Sequence, residues 1–289
     1  MTRIPILSEL TLEEPLMKSA PIMSALSDFF CNGDHVDRDN CSWYHKAWQY
    51  LRILDLVSTP TWHPRFYLES LKKILMKDEN INVLISGAAD YSMLAYVIHA
   101  CSQVGAICNI VLLDLCETPL QISKWYAAEV DFPISTEKID ILSYDRLNFF
   151  DCVVTDAFLT RFNQQDKKNV LEKWRDLLKY NGIVITTLRL DPEIRQNESE
   201  NATYQEVEQF SNKAAKLAKM LHDIDVKPIE VENLAREYAK NIRSYPVRNI
   251  EETINLFNET GYIIEFCEEV KVKGEMNETT YIEVIARKR

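Results

Sequence analysis

Hydrophobic positions in the first eighty residues recur every three or four positions, which is the spacing of one face of an α-helix. Runs with this spacing lie at 22–30, 44–57 and 66–75. Pro60 ends the second run, and Pro64 stands where the first turn of a third helix accepts a proline. The pattern therefore predicts an N-terminal helical cap over residues 1–80.

From residue 81 the pattern changes to short apolar runs that alternate with amphipathic stretches. Strands are predicted at 82–86, 108–114, 135–139, 150–156 and 183–188, and helices at 91–104, 118–130 and 164–179. Strands separated by helices predict a parallel sheet with helices on both faces. Asn181-Gly182 is predicted to end the helix before the fifth strand.

The alternation stops at residue 191, after the fifth predicted strand. Two long amphipathic helices follow and end before Pro246, so residues 191–245 are predicted to form a helical insertion that acts as a lid. A further helix and two strands joined by a loop of hairpin length complete the chain. The predicted organisation is α/β, with a cap at 1–80, a core at 81–190, the insertion at 191–245 and a closing segment at 246–289.

Composition narrows the classes of function. The formal net charge of −11 opposes binding to a phosphate backbone, so we expect no nucleic-acid partner. No apolar run reaches the roughly 18 residues that a membrane span needs, and the N-terminus lacks the pattern of a secretory signal. The seven cysteines are scattered, and we interpret them as reduced residues of a cytoplasmic protein.

Two features at the start of the sheet predict a site for a nucleotide-like ligand. A glycine turn, Ser86-Gly87-Ala88-Ala89-Asp90, follows the first predicted strand, and Asp114 ends the second. A βαβ unit with an acid at this position can bind both hydroxyls of a ribose.

Together with two later features, this unit resembles the class I S-adenosylmethionine-dependent methyltransferases. Asp140-Ile141 follows the third strand, and the 177–185 segment is similar to the turn by which that family enters its fifth strand. The closing helix and strand pair are similar to the antiparallel hairpin that separates the family from dinucleotide-binding domains. The resemblance implies a seven-stranded sheet of that type, and S-adenosylmethionine as the cofactor.

The resemblance also implies roles for individual residues. Gly87 would lie against the methionine part of the cofactor, Asp114 would bind the ribose, and Asp140 and Ile141 would contact the adenine. Asp90 would either hold the methionine amino group or cap the next helix.

The fourth strand ends where the family brings the methyl group and its acceptor together. The resemblance places Asp156 at this point, where it would position the acceptor or take a proton. Asp156-Ala157-Phe158 lacks the proline pair of enzymes that methylate exocyclic or amide nitrogens. The glycine loop keeps only its first glycine, Gly87, which leaves open a different pose of the cofactor.

Candidates for acceptor binding lie in the cap, after the fourth and fifth strands, and in the insertion. They are Tyr44, Arg52, Arg161, Arg189, Tyr204 and Tyr238. His45 lies on the same predicted helix face as Arg52 and is the candidate general base, although a lone histidine is more often structural.

Two cysteine–histidine pairs near the N-terminus offer a zinc site as an alternative use of His45. Cys31-x3-His35 and Cys41-x3-His45 supply suitable ligand types, but their spacing is not that of a common zinc finger. We therefore expect no metal.

The function favoured by these features is in-line methyl transfer from S-adenosylmethionine to a small molecule held between cap and insertion. The alternatives are an aminopropyl or aminocarboxypropyl transferase, a nicotinamide-dependent oxidoreductase, and a binding or interaction protein that has lost catalysis. A sixth parallel strand in place of the closing hairpin would favour the oxidoreductase. A homodimer is left open.

Overall fold

The computed structural model describes residues 14–31, 40–76, 80–194, 199, 201–221, 224–276 and 278–289. The helices in this part of the chain are α1 (Leu16–Phe30), α2 (Ser42–Ile53), α3 (Pro64–Leu75), α4 (Ser92–Val104), α5 (Glu117–Glu129), α6 (Gln164–Leu177), α7 (Tyr204–Met220), α8 (Pro228–Asn241) and α9 (Ile250–Glu259). The strands are β1 (Asn80–Ser86), β2 (Ile107–Asp114), β3 (Ser135–Lys138), β4 (Phe150–Val154), β5 (Leu178–Leu190), β6 (Tyr262–Lys273) and β7 (Glu278–Lys288).

The strands form one seven-stranded sheet in the order β3-β2-β1-β4-β5-β7-β6. The first five strands are parallel, and β7 is antiparallel to both β5 and β6. This confirms the predicted α/β fold with its N-terminal helical cap and its helical insertion after strand five. Because the strand order reverses between β1 and β4, a crevice opens at the carboxyl edge of these strands.

Each face of the sheet is covered by its own apolar core. Val83 and Ile85 of β1 contribute to the core that also holds Tyr67 of the cap and Val231 of the insertion, whereas Leu84 contributes to the opposite core. Alternate residues of a strand point to opposite faces of the sheet, so β1 contributes side chains to both cores. The cap and the insertion therefore share a core with the sheet, and the division into domains stays a prediction.

The entry to β5 differs from the prediction. We expected Asn181-Gly182 to end α6, but α6 ends at Leu177 and β5 runs on directly from Leu178. Leu178 is buried and pairs with Phe150, so the strand is anchored before the turn residues are reached. Asn181, with φ of 61°, lies in the irregular step of the register that follows.

Two cysteines also differ from the prediction. Cys101 at the end of α4 and Cys108 at the start of β2 form a disulfide, so the expectation of reduced cysteines is wrong for this pair. The five others have free thiols. A cytoplasmic location stays a prediction. Among the described helices, none has the length and apolarity to cross a membrane.

One buried amino group links α6 to the segment before α9. Lys167 is 2% exposed, and its Nζ donates to the Tyr245 carbonyl at 2.5 Å. Burial lowers the pKa of Lys167 to about 8, although the charge of Glu252 acts in the opposite direction. Protonation of this amine therefore opposes folding at neutral pH.

We predict that Lys167→Met removes a pH dependence of stability. An unfolded lysine titrates near 10.4. Between pH 8 and that value the unfolded wild-type chain binds more protons than the folded one, so its free energy of unfolding rises by on the order of 2–3 kcal/mol. Denaturant unfolding at pH 7, 8.5 and 10 measures the rise, which the variant should lack. Lys168→Met, which removes a more exposed amine paired with Glu259, is the control and should keep it. Parallel curves for wild type and Lys167→Met would contradict the prediction.

Candidate active site

A cleft of about 620 Å³ opens at the carboxyl edge of the sheet. The turns after β1, β2 and β4 form its floor, α2 forms a wall on the cap side, and α7 and α8 form the wall on the insertion side. Predicted site residues that line it are Tyr44, His45, Gly87, Asp90, Asp114, Asp156, Arg161, Arg189 and Tyr238. The structure thus brings most of the predicted site together.

The turn after β1 requires glycine for two reasons. Gly87 has φ of +71°, in the left-handed region, and its amide donates to the Leu113 carbonyl at 2.8 Å. A Cβ at this position would lie 2.3 Å from the ring of Phe158. The missing side chain therefore admits both the turn and the close approach of an aromatic ring on the cleft floor.

The carboxylate of Asp114 holds two turns of the floor together. Its Oδ2 accepts from the Ala88 amide at 3.0 Å, and its Oδ1 accepts from the Cys116 amide at 2.7 Å. Burial raises the pKa of Asp114, and the backbone hydrogen bonds oppose that rise. Each oxygen keeps a further lone pair, so the group can still accept hydrogen bonds from a ligand.

Asp140 and Ile141 lie beside Asp114 but outside the lining of the cleft. The Ile139 amide donates to the Asp114 carbonyl at 3.0 Å, which joins the ends of β3 and β2. Asp140 Oδ1 accepts from the Leu142 amide at 2.9 Å, and the side chain of Ile141 is buried. These two residues border the β2 end of the site, and their contacts with adenine stay a prediction.

Asp90 and Arg52 form a buried ion pair behind the cleft. Arg52 Nη1 donates to Asp90 Oδ2 at 2.6 Å, and its Nη2 donates to Glu14 Oε2 at 2.5 Å. Asp90 Oδ1 accepts from the Ser92 amide at the start of α4. The prediction that Arg52 binds the acceptor is wrong, because two carboxylates already neutralise its guanidinium. The contacts of Asp90 are those of a helix-capping residue.

Asp156 lies at the end of β4 and is held by two hydroxyl groups. Its Oδ1 accepts from Tyr67 Oη at 2.7 Å and from Thr187 Oγ1 at 2.8 Å. Burial raises the pKa of Tyr67, and the charge of Asp156 raises it further. This contact could not be predicted from the sequence, because Tyr67 lies on the apolar face of α3 and is typical of a core residue.

His45 occupies a different environment from the one predicted. It lines the cleft, but its Nδ1 lies 3.4 Å from Cys31 Sγ. One ring nitrogen of His45 is thus in contact with a thiol, and its role as the general base stays a prediction.

The walls of the cleft are aromatic. Tyr44 stacks on Trp48 with ring centroids 4.9 Å apart, and it lies 5.7 Å from Tyr238, which in turn stacks on Phe210 of α7. The Arg161 guanidinium lies over the Tyr44 ring at 5.9 Å. Helices of the cap and the insertion thus meet through one cluster of rings, which presents flat apolar surfaces to the cleft.

The prediction for Tyr204 is wrong. Tyr204 is 80% exposed and does not line the cleft. It is the first residue of α7, and the face that turns inward carries Glu206, Gln209 and Phe210 instead. The helical phase of α7, which is fixed by packing on α8, decides which side chains reach the site.

The fold is that of the class I S-adenosylmethionine-dependent methyltransferases. A search of solved structures found a methyltransferase of this kind from Methanosarcina mazei with a TM-score of 0.53 and 11% identity, covering 74% of this chain and 94% of the other. It also found the Burkholderia thailandensis 1,6-didemethyltoxoflavin-N1-methyltransferase, solved with 1,6-didemethyltoxoflavin and S-adenosylhomocysteine bound. That enzyme has a TM-score of 0.53 and 15% identity, and the match covers 96% of this chain and 92% of the other. No protein-family model and no curated protein sequence matches this chain.

We predict that Gly87→Ala destabilises the protein more than Gly105→Ala. Both glycines have positive φ, but a Cβ at Gly105 would meet nothing within 4 Å. Gly105→Ala should therefore lose about 1 kcal/mol from backbone strain alone, and Gly87→Ala about 2–4 kcal/mol from strain plus overpacking. Denaturant unfolding measures both losses.

A double-mutant cycle with Phe158→Ala identifies the source of the additional loss. The cost of Gly87→Ala should shrink in the Phe158→Ala background, because the ring that the new Cβ meets is gone. Equal costs in both backgrounds would show that the ring does not constrain this position.

Proposed function

We propose that this protein is a methyltransferase that transfers the methyl group of S-adenosylmethionine to a small molecule. The observation that carries the proposal is the junction of the Gly87 turn with the Asp114 carboxylate through the Ala88 amide. This junction lies on the floor of the cleft, at the carboxyl edge of a sheet with the methyltransferase strand order.

The residues at this junction fit S-adenosylmethionine. Asp114 retains lone pairs for the two ribose hydroxyls, and Gly87 and Ala88 offer main chain with little side-chain bulk. Asp140 and the main chain of Ile141 border the same end of the site and would contact the adenine. The antiparallel β6–β7 hairpin stands where the oxidoreductase alternative requires a sixth parallel strand, which supports this cofactor over NAD.

The remainder of the cleft would hold the acceptor. The rings of Tyr44, Trp48 and Tyr238 favour a planar or apolar molecule, and Arg161 and Arg189 favour one that carries a carboxylate or a phosphate. When bound, S-adenosylmethionine supplies a methyl group already activated on a sulfonium. The protein then has to hold the acceptor atom in line with that group and keep water out, which the aromatic walls can do.

Asp156 is the group that would accept a proton if the acceptor atom carries one. Tyr67 and Thr187 both donate to its Oδ1, and this fixes the side chain while the second oxygen keeps its lone pairs. Both partners come from elements that pack into the core, so the carboxylate is held rigidly. Asp156 thus combines the orientation and the remaining acceptor capacity that a general base needs.

We predict micromolar binding of S-adenosylmethionine and S-adenosylhomocysteine, and no binding of NAD, in calorimetric titrations. Asp114→Asn should weaken binding of the first two by about tenfold to a hundredfold, because the ribose hydroxyls lose a charged acceptor. Asp131→Asn, which changes an exposed carboxylate beyond α5, is the matched control and should bind as the wild type does. Absence of binding to either sulfur compound would refute the proposal and leave a scaffold or interaction role.

We predict that Asp156→Asn separates cofactor binding from transfer. The variant should bind S-adenosylhomocysteine within about threefold of the wild type, because Asp156 lies beyond the ribose end of the site, yet lose about a hundredfold in transfer to an acceptor that must be deprotonated. Transfer of labelled methyl groups into a small-molecule extract, with protein and nucleic-acid fractions as controls, measures the second quantity. Label in the polymer fractions alone would contradict a small-molecule acceptor. Label that stays on sulfur and is recovered as methylthioadenosine, with none in an acceptor, would favour the aminopropyl or aminocarboxypropyl alternative.

A further inference from the structure

Three thiols and one imidazole converge at the edge of the cleft, and one of the thiols lies far from the other three residues in sequence. Cys31, Cys41, His45 and Cys116 each offer one ligand atom, and these atoms all lie within 4.8 Å of one another. We propose that these four residues form a tetrahedral zinc site. The site is independent of methyl transfer and would exist whether or not that function holds.

Three of the six separations between ligand atoms in the group are close to those in a zinc tetrahedron, and all six are within 4.8 Å. With Zn–S near 2.3 Å and Zn–N near 2.0–2.1 Å, ligand atoms stand about 3.8 Å apart for two sulfurs and about 3.5 Å apart for sulfur and nitrogen. The Sγ atom of Cys116 lies 3.6 Å from that of Cys31 and 3.6 Å from that of Cys41. Cys31 Sγ lies 3.4 Å from His45 Nδ1. These distances are longer than a disulfide and suit a shared metal ion.

The chemistry of the group selects zinc. Three thiols and one imidazole are the ligands of structural Cys₃His zinc sites, and thiolates disfavour magnesium and calcium. Cys31 is the C-cap residue of α1, and Cys41 and Cys116 are the N-cap residues of α2 and α5, so three helix ends bring the sulfurs together. Thr118 Oγ1 is buried and lies 3.2 Å from Cys31 Sγ, so this hydroxyl contacts the first ligand from the side of the protein interior.

The spacing of cysteines and histidines in the sequence does not indicate this zinc site. The sequence suggested His35 as the partner of Cys31, and His35 lies outside the described residues. The fourth ligand is Cys116, which comes from the turn after β2, far along the chain. We expected no metal because this local spacing does not match a zinc finger. The proposed site instead uses ligands that converge from three helix ends.

The position of the site implies a structural role. Four protein ligands fill a zinc tetrahedron and leave no place for substrate or water. The ligands join the end of α1 and the start of α2 to the turn whose Cys116 amide donates to Asp114. The metal would therefore fix the cap wall of the cleft against its floor.

The test is the metal content of the full-length protein, purified in reductant without added metal and without a metal-binding tag. We expect about one zinc per chain by elemental analysis. Cys41→Ser and His45→Gln should each reduce zinc content or affinity by more than about tenfold, and Cys267→Ser, which changes a thiol outside the group, should not. Removal of zinc from the wild type should lower its melting temperature, and added zinc should restore it.

Cobalt substitution provides a readout that needs no enzymatic activity. Cobalt added to the metal-free wild type should give the intense visible bands and the thiolate charge-transfer absorption of a tetrahedral sulfur-rich site, and His45→Gln should alter them. The proposal fails if the wild type holds no zinc and takes up none, if it holds another metal, or if thiol counting finds a disulfide among these cysteines. Because these readouts are independent of S-adenosylmethionine, their failure is distinct from failure of the proposed function.

Discussion

The hydrogen bonds that Asp114 accepts are the constraint on which the ligand-binding edge depends. Parallel strands end at one edge of the sheet, but the turns that follow them have no regular pairing to hold them. Here one carboxylate accepts from the Ala88 amide on one side and from the Cys116 amide on the other. Burial makes its charge costly, and the two amide bonds offset that cost. The same group that organises the floor is thereby held ready to bind a ligand.

A second buried network ties the cap to this floor. Arg52 of α2 lies between Glu14 and Asp90, and Asp90 also accepts from the first amide of α4. Burial raises the pKa of Glu14 against the influence of Arg52, so burying these three charges together is costly even though Arg52 pairs with both carboxylates. Its geometry orients α2, and α2 in turn presents Tyr44 to the cleft. Residues that the sequence suggested as ligand contacts thus act by positioning the wall.

The sequence predicted most of the fold because the fold is encoded locally. The spacing of hydrophobic residues alone predicts the alternating strands and helices and places an acid at the end of β2. The short loop between the last two strands predicts the hairpin. The site was less readable. The contact of Tyr67 with Asp156 and the exposure of Tyr204 depend on the rotation of α3 and α7 about their axes, and packing sets that rotation. A hydrophobic pattern identifies the buried face of a helix, but it does not identify which polar tip on that face meets a partner.

The group formed by Cys31, Cys41, His45 and Cys116 shows the same limit of prediction from the sequence. The spacing of Cys31 and Cys41 does not match a linear zinc motif, because the ligands are brought together by the fold and are not adjacent in sequence. Cys116 reaches the group only because the sheet brings the end of β2 beneath the cap. The Asp114 carboxylate and this group of ligand side chains meet at that same turn, since Cys116, whose amide binds Asp114, also offers a sulfur to the group. A change at Cys116 therefore acts on the cap and the floor together, because this residue contributes both the sulfur and the amide.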